Sequence, residues 1–321
     1  MISEKQHKEL LREVSKILKR TDGIFKRMAE EIASALSTYR YRKGSKVWVL
    51  NERSRKKLDK VLAKYQSILL SHIKAGSTST WQLLEKQSNQ LTGKYKSSMP
   101  NQLYTALTSS NTDALSAFLG RGEGRYKLSE RVWNVQRSTQ RQVEAYLSEG
   151  LSVGRSSAKM ARDLEIYLNR SDVSFINNGE DTKKKRSRPG KNLRPGRGVY
   201  KSSLANAKRL ARNEVNLAYR TADSLRRSEL PFVTGIEVKL SASHPEYDIC
   251  DELKGDYPKD FPFSGWHVNC LCYTTSKTMT AKQYGAFRRG EFEPKYTIKV
   301  PQKAKDYLSE KEERNVYRIT A

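Results

Sequence analysis

No stretch of this chain approaches the roughly 18 consecutive apolar residues that span a bilayer. The N-terminus, MISEKQHKELLREV, is charged from the start, so neither a membrane anchor nor a signal peptide is expected. Cysteine is scarce, with three residues; the odd number argues against a disulfide framework and fits a reducing cytoplasm. Acidic residues are too few to balance the basic ones: 35 Asp and Glu face 61 Lys and Arg, a formal net charge of +26. A surplus of that size points to a polyanionic partner, nucleic acid first, over the plainer reading of lysines that only solvate helix faces. Apolar residues make up 36% and charged residues 30% of the 321. That balance suits two surface-rich domains better than one thick core. Neither an internal repeat nor a phosphate-binding glycine loop is present, since GRGEGR at Gly120 follows no strand.

What is present is first of all helical. From Glu4 to about Tyr39 the residues Leu10, Val14, Ile17, Leu18, Ile24, Met28, Ile32 and Leu36 recur at threes and fours, the stripe of a one-sided helix. Similar patterns predict helices at about 55–73, 101–119 and 130–147, with Gly150 as a stop. A Ser-capped short helix burying Met160, Ala161, Leu164 and Leu168 is expected to follow. After Asp172 the composition shifts. Lys183, Lys184, Lys185, Arg186, Arg188, Lys191, Arg194 and Arg197 occur without an acid among them, and Pro189, Pro195 and glycines break any regular element. This basic linker can neutralise phosphates without reading sequence, or merely solvate a connection.

The most regular segment comes next. Leu204, Ala207, Ala211, Val215, Ala218, Ala222 and Leu225 form an unbroken stripe behind a Ser202 or Ser203 cap. Lys208, Arg209, Arg212, Arg220, Arg226 and Arg227 lie on its other faces and read as water-facing, with Glu214 as a structural ion-pair partner. The period then drops to two in GIEVKLS (Gly235 to Ser241) and again in YTIKV (Tyr296 to Val300), predicting two strands. The expected fold is therefore α+β: a mainly helical region over 1–170, a basic linker over 171–200, a small α+β domain with a Cys/His cluster over 201–300, and a tail over 301–321.

All three cysteines and two of the four histidines fall between His244 and Cys272, with the spacing Hx5Cx16Hx2CxC. Zinc takes about four thiolate and imidazole ligands, commonly from two turn-held segments. Five candidates compete for four places. Cys250, His267, Cys270 and Cys272 form the favoured core, with His244 in reserve, and one structural Zn2+ is the implied cofactor. Ligation would supply folding free energy that a loop-rich region short of large apolar residues cannot gain from packing. Inert packed thiols are the alternative. A nucleophilic Cys250 activated by His244 or His267 lacks any surrounding hydrolase signature. A hydrolytic site using His267 with Asp248 or Asp251 lacks paired carboxylates. No recognition-helix module supports a zinc-containing DNA-binding regulator.

Three ordered motifs carry a resemblance: Ala211, Arg212, Asn213 and Glu214 as an ARTE-like helix start; Cys250, Leu253 and Gly255 as a CxxLxG-like turn; and His267 to Cys272, HVNCLC, as an HPNCRC-like ending. Together they resemble the phage head morphogenesis, or Mu F-like, domain of tailed bacteriophages, over roughly residues 200–280. The resemblance implies a non-enzymatic minor head (capsid) protein, made in the host cytoplasm and carried in the procapsid or virion. It implies association with the portal and with scaffold or major capsid protein, and non-specific binding of double-stranded DNA that influences packaging or ejection. The helical region would dock on the portal or scaffold. Where many members carry a further cysteine, this chain has Tyr247; Leu271 replaces the arginine between the terminal cysteines; Asn213 replaces a threonine, a change expected to matter little.

Overall fold

The computed structural model describes residues 4–37, 52–123, 126–152, 163–164, 166–168, 202–244 and 246–310. The basic linker residues Lys183 to Arg197, and Met160 and Ala161, lie outside the described residues. Among the described residues no helix is long and apolar enough to cross a membrane.

In chain order the elements are α1 (Glu4–Ser37), α2 (Glu52–Gly93), α3 (Asn101–Thr108), α4 (Thr112–Gly120), a short hairpin of β1 (Gly122–Glu123) and β2 (Tyr126–Lys127), and α5 (Leu128–Ser152). Then come α6 (Ser203–Glu229), β3 (Val233–Lys239), α7 (Ile249–Glu252), β4 (Gly255–Tyr257), β5 (Tyr273–Thr278) and α8 (Ala281–Arg288). Residues 302–310 are also helical. A mainly helical first half thus precedes a region holding a small antiparallel sheet of order β4-β3-β5.

The chain folds as two compact units. One comprises Ser15–Gly76 and Gly120–Arg212. Its core is the predicted helical stripe: Ile17, Ile24, Met28 and Ile32 of α1, Leu58, Leu62, Leu69 and Ile73 of α2, and Val132, Val143 and Leu147 of α5 are all buried. The start of α6 is capped as expected, Ser202 Oγ accepting from Ala205 N–H at 3.0 Å.

The other unit comprises Met1–Val14, Ser77–Leu119 and Asn213–Ala321. Here α2 runs on to Gly93, well beyond the predicted end near Ile73. The extension is rich in hydroxyls, which a helix tolerates when they bond back to its own carbonyls. Thr92 Oγ1 donates to Ser88 O at 3.0 Å, and Thr80 Oγ1 reaches Val215 O of α6 at 2.8 Å. The single helix predicted over 101–119 is broken at Ser109 to Asn111, because Asn111 Oδ1 caps α4 through Ala114 N–H at 3.0 Å and Glu85 accepts the Asn111 N–H at the same distance.

In the sheet, β3 buries Ile236 and Val238, pairing Ile236 with Tyr257 of β4 and Ser276 of β5. The strand predicted at Tyr296 to Val300 does not form. β3 already has a neighbour on both edges, and a register shift between Val233 and Gly235 frees only the Thr234 carbonyl, which accepts from Thr297 N–H at 2.9 Å. Gly235 permits that approach, since a Cβ there would meet Thr297 Oγ1 at 2.6 Å. The region between β4 and β5 is not short of large apolar groups. Phe261, Phe263 and Trp266 pack with Tyr257 in a buried cluster, Phe263 and Trp266 edge to face at 5.2 Å, each contributing about 1.5–3 kcal/mol.

Candidate metal centre

Local chain geometry aims the three sulfurs at one point. Cys250 sits in the first turn of α7, fixed by a capping box: Asp248 Oδ1 accepts from Cys250 N–H at 2.6 Å, and Asp251 Oδ2 accepts from Asp248 N–H at 3.0 Å. Cys270 and Cys272 precede and lead into β5. In extended chain residues i and i+2 share a face, so a CxC spacing delivers both thiols to the same side where a turn would need CxxC. The loop before them closes through Cys270 N–H to His267 O at 3.2 Å. It contains Asn269 at φ 64 and Gly265 at φ 100, the left-handed region that Asn and Gly enter at least cost.

Cys250, Cys270 and Cys272 are buried, none is in a disulfide, and their sulfurs lie within 4.8 Å of one another. This trio can hold a metal ion. Cys250 Sγ and Cys270 Sγ are 3.8 Å apart. His267 brings Nε2 to 3.0 Å from Cys250 Sγ while its Nδ1–H donates to Val268 O at 2.8 Å. That second bond puts a proton on Nδ1 and leaves Nε2 as the nitrogen that would turn to a metal on giving up its carboxylate contact. Nε2 also lies 3.1 Å from Asp248 Oδ2. His244 is placed differently: its Nε2 is 2.9 Å from Asp251 Oδ2 and 3.7 Å from Asp248 Oδ1, on the capping carboxylates of α7.

The three thiols divide their protons unequally. Cys270 is favoured as thiolate, because the Cys250 and Cys272 thiols donate to it and the Arg220 charge adds to their effect. Cys250 is held as thiol by its bonds to Cys270 and Cys272 and by burial. The bond with Cys250 pulls Cys272 down, but its bond with Cys270, burial and the Cys270 charge outweigh this and push it up to about 12. A cation at their centre would override this inequality and take all three as thiolates.

Helix α6 holds the cluster from behind. Arg220 donates from Nη2 to the carbonyls of Cys270 and Cys272 at 2.7 and 2.9 Å and from Nη1 to Ser264 O at 2.9 Å, with its guanidinium 5.2 Å from the Phe263 ring centroid. A side chain at Gly265 would collide with Arg220 Nη1. Two turns earlier on the same face, Asn213 Oδ1 accepts from Asn269 N–H at 3.0 Å, so the asparagine expected to matter little orients the metal loop. From α1, His7 stacks on Tyr273 at 4.1 Å and its Nε2 lies 3.1 Å from Ser241 Oγ. Sequence reasoning counts Arg220 among the water-facing residues of the helix, whereas its guanidinium donates to three carbonyls, and it does not single out His7. The signal for Arg220 was its place seven residues after Asn213, which puts the two on one helix face.

Two other arginines read as water-facing are buried. Arg227 is 2% exposed and pairs with Asp223 at 3.0 Å. Arg226 is 5% exposed, donates to Leu107 O at 3.1 Å and to Ser109 O, and lies 3.5 Å from Glu85. Glu214 is 2% exposed. No family model, curated protein or solved structure matches this chain.

Proposed function

We propose that this chain is a minor head protein of a tailed bacteriophage, acting in head morphogenesis beside the portal, with one structural zinc held by Cys250, His267, Cys270 and Cys272. What carries the reading is the convergence of the three motif segments on one point. Asn213 of the ARNE helix start bonds Asn269 of HVNCLC, and Cys270 of HVNCLC meets Cys250 of the CxxLxG turn. Residues far apart in sequence that share one packed centre support a single recurring domain more strongly than three short motifs scattered along a chain.

Zinc fits the donors. Two sulfurs each about 2.3 Å from one tetrahedral ion stand about 3.8 Å apart, the separation of Cys250 and Cys270. His267 Nε2, at 3.0 Å from Cys250 Sγ, is the imidazole that would move in to complete the set beside the three sulfurs. Four protein donors around buried sulfurs leave no open coordination position, so the metal's role is to hold the domain together rather than to activate water.

In this reading the helical region docks on portal, scaffold or major capsid protein. The basic residues at 183–197 meet packaged double-stranded DNA without sequence preference. The test is co-expression with the portal and major capsid proteins of the phage that carries this reading frame, followed by isolation of procapsids. Recovery of the chain in portal-bearing particles, with one zinc per chain, is the expected result. Absence from particles rejects the head reading; cleavage of DNA with added divalent metal, or a marked preference for one DNA sequence, would replace it with a nuclease or a regulator.

A further inference from the structure

The outer side of α5 carries an indole that the fold does not use. Trp133 is 45% exposed, whereas Trp81 and Trp266 are each 2% exposed. Leaving so large a ring in water forgoes the burial that stabilises the other two indoles. One turn on, the Arg137 guanidinium lies 4.6 Å from its ring centroid, and a further turn on Arg141 is also exposed. Residues four apart are neighbours on one helix face, so the three form a continuous stripe.

The carboxylates nearest in sequence are engaged elsewhere. Glu130 Oε2 accepts from the Lys127 N–H at 2.8 Å, and Glu144 Oε1 from the Gln140 amide at 3.2 Å. Neither Arg137 nor Arg141 has an ion pair among the described residues. A guanidinium laid on an indole is fixed in orientation with its N–H fork still directed outward, the geometry that meets a phosphate bidentately.

We infer that this face of α5 is a folded contact for the nucleic-acid backbone, with Trp133 as the platform that orients Arg137 to one phosphate and Arg141 placed to meet a second. The inference rests on the DNA-binding part of the reading above and adds a structured surface independent of the basic linker. An acidic protein could meet the same two charges. The net charge of +26 across the chain favours the partner whose charge is continuous.

The experiment is a fluorescence titration of the full chain with a short DNA duplex at several salt concentrations, beside Trp133→Phe and Arg137→Gln/Arg141→Gln variants checked for wild-type circular dichroism. The duplex should change the emission of the wild type, and Trp133→Phe should lose that change. Two lost phosphate contacts should lower the slope of log affinity against log salt by about 1.8, so between about 50 and 200 mM salt the double variant loses roughly tenfold less affinity than the wild type. If the duplex binds with an unchanged slope in the double variant and Trp133 does not respond, the inference fails while DNA binding through the linker stands. A Trp133 response to portal protein but not to DNA also overturns it. Absence of the chain from particles rejects the head reading without touching this result.

Discussion

Arg220 of α6 and Cys270 of the metal loop are joined by a 2.7 Å hydrogen bond from the guanidinium Nη2 to the cysteine's backbone carbonyl. The same nitrogen reaches the Cys272 carbonyl at 2.9 Å, and Nη1 reaches Ser264. One planar fork thus fixes both ends of the CxC segment and the loop before it. The helix that opens the domain is the frame on which its sulfur cluster is built.

Arg220→Ala removes the donor from three carbonyls at once. Hydrogen bonds to charged groups contribute about 1.5–3 kcal/mol each, and the three share one side chain, so a loss of about 3 kcal/mol is expected. Arg220→Lys should recover only part of it, because an ammonium cannot reproduce the fork. Urea denaturation gives the stability, and competition with a chromophoric chelator should show weaker zinc binding in both variants. A stability loss with unchanged zinc affinity would separate the arginine from the centre.

Chelation supplies the direct test of the metal. If ligation contributes to folding, a strong chelator should lower the melting temperature of the wild-type domain and release one zinc per chain. Cys270→Ser/Cys272→Ser should bind none and melt at the chelated value, with or without chelator. Equal melting temperatures for wild type with and without chelator would leave the trio as packed thiols, favoured by burial alone.

His7 gives a pH dependence of definite sign. Burial first, and then the Arg220 charge, lower its pKa from 6.5 to about 4. A histidine held neutral in the fold while the unfolded chain titrates near 6.5 leaves stability intact above that pH. The contribution is lost as pH falls from about 6.5 toward about 4, where the unfolded chain binds a proton that the fold resists. Urea midpoints measured across this window in chelator, which removes the titration of metal ligands, should fall more steeply for wild type than for His7→Phe. The phenyl ring keeps the stack on Tyr273 but carries no proton; parallel curves would contradict the assignment.

The parts legible in the sequence were those where periodicity and burial coincide. The stripe of α6 from Leu204 to Ala222 and the alternation of Ile236 and Val238 in β3 are buried as their spacing implies, while Leu225, placed at the end of that stripe, is 40% exposed. What was hidden was polar and buried. β5 carries no apolar alternation in YTTSKT by which to find it, yet Thr274, Thr275 and Ser276 are buried, with Thr274 Oγ1 donating to Asp223 at 2.6 Å. The extended α2 hides its continuation behind hydroxyl residues, of which Thr80 and Thr92 bond back to the helix's own carbonyls. Conversely, YTIKV has a strand's alternation but meets the sheet only through the Thr297 N–H on the Thr234 carbonyl, and Ile298 remains 77% exposed. In the centre, the cysteines and histidines could be gathered by spacing, whereas Arg220 and Asn213 act on main-chain atoms and leave no such pattern.

The Asp223–Arg227 pair extends the same lesson to energetics. Both side chains are buried, at 5% and 2% exposure, with Arg227 Nε 3.0 Å from Asp223 Oδ2. Arg227 also donates from Nη1 to Lys259 O at 3.2 Å, and Asp223 accepts from Thr274. Removing one partner strands the other's charge where water does not reach, so Asp223→Ala should cost about 3–5 kcal/mol, and Arg227→Met should lie in the same range. Replacing both by apolar groups, Asp223→Ala with Arg227→Met, removes the uncompensated charge along with the attraction. The double variant should therefore be destabilised by less than the sum of the singles, leaving mainly the lost bonds to Thr274 and Lys259. A double-mutant cycle in urea measures this. A coupling energy near zero would mean that water or another group already screens the pair, and that the i,i+4 attraction within α6 adds nothing to stability.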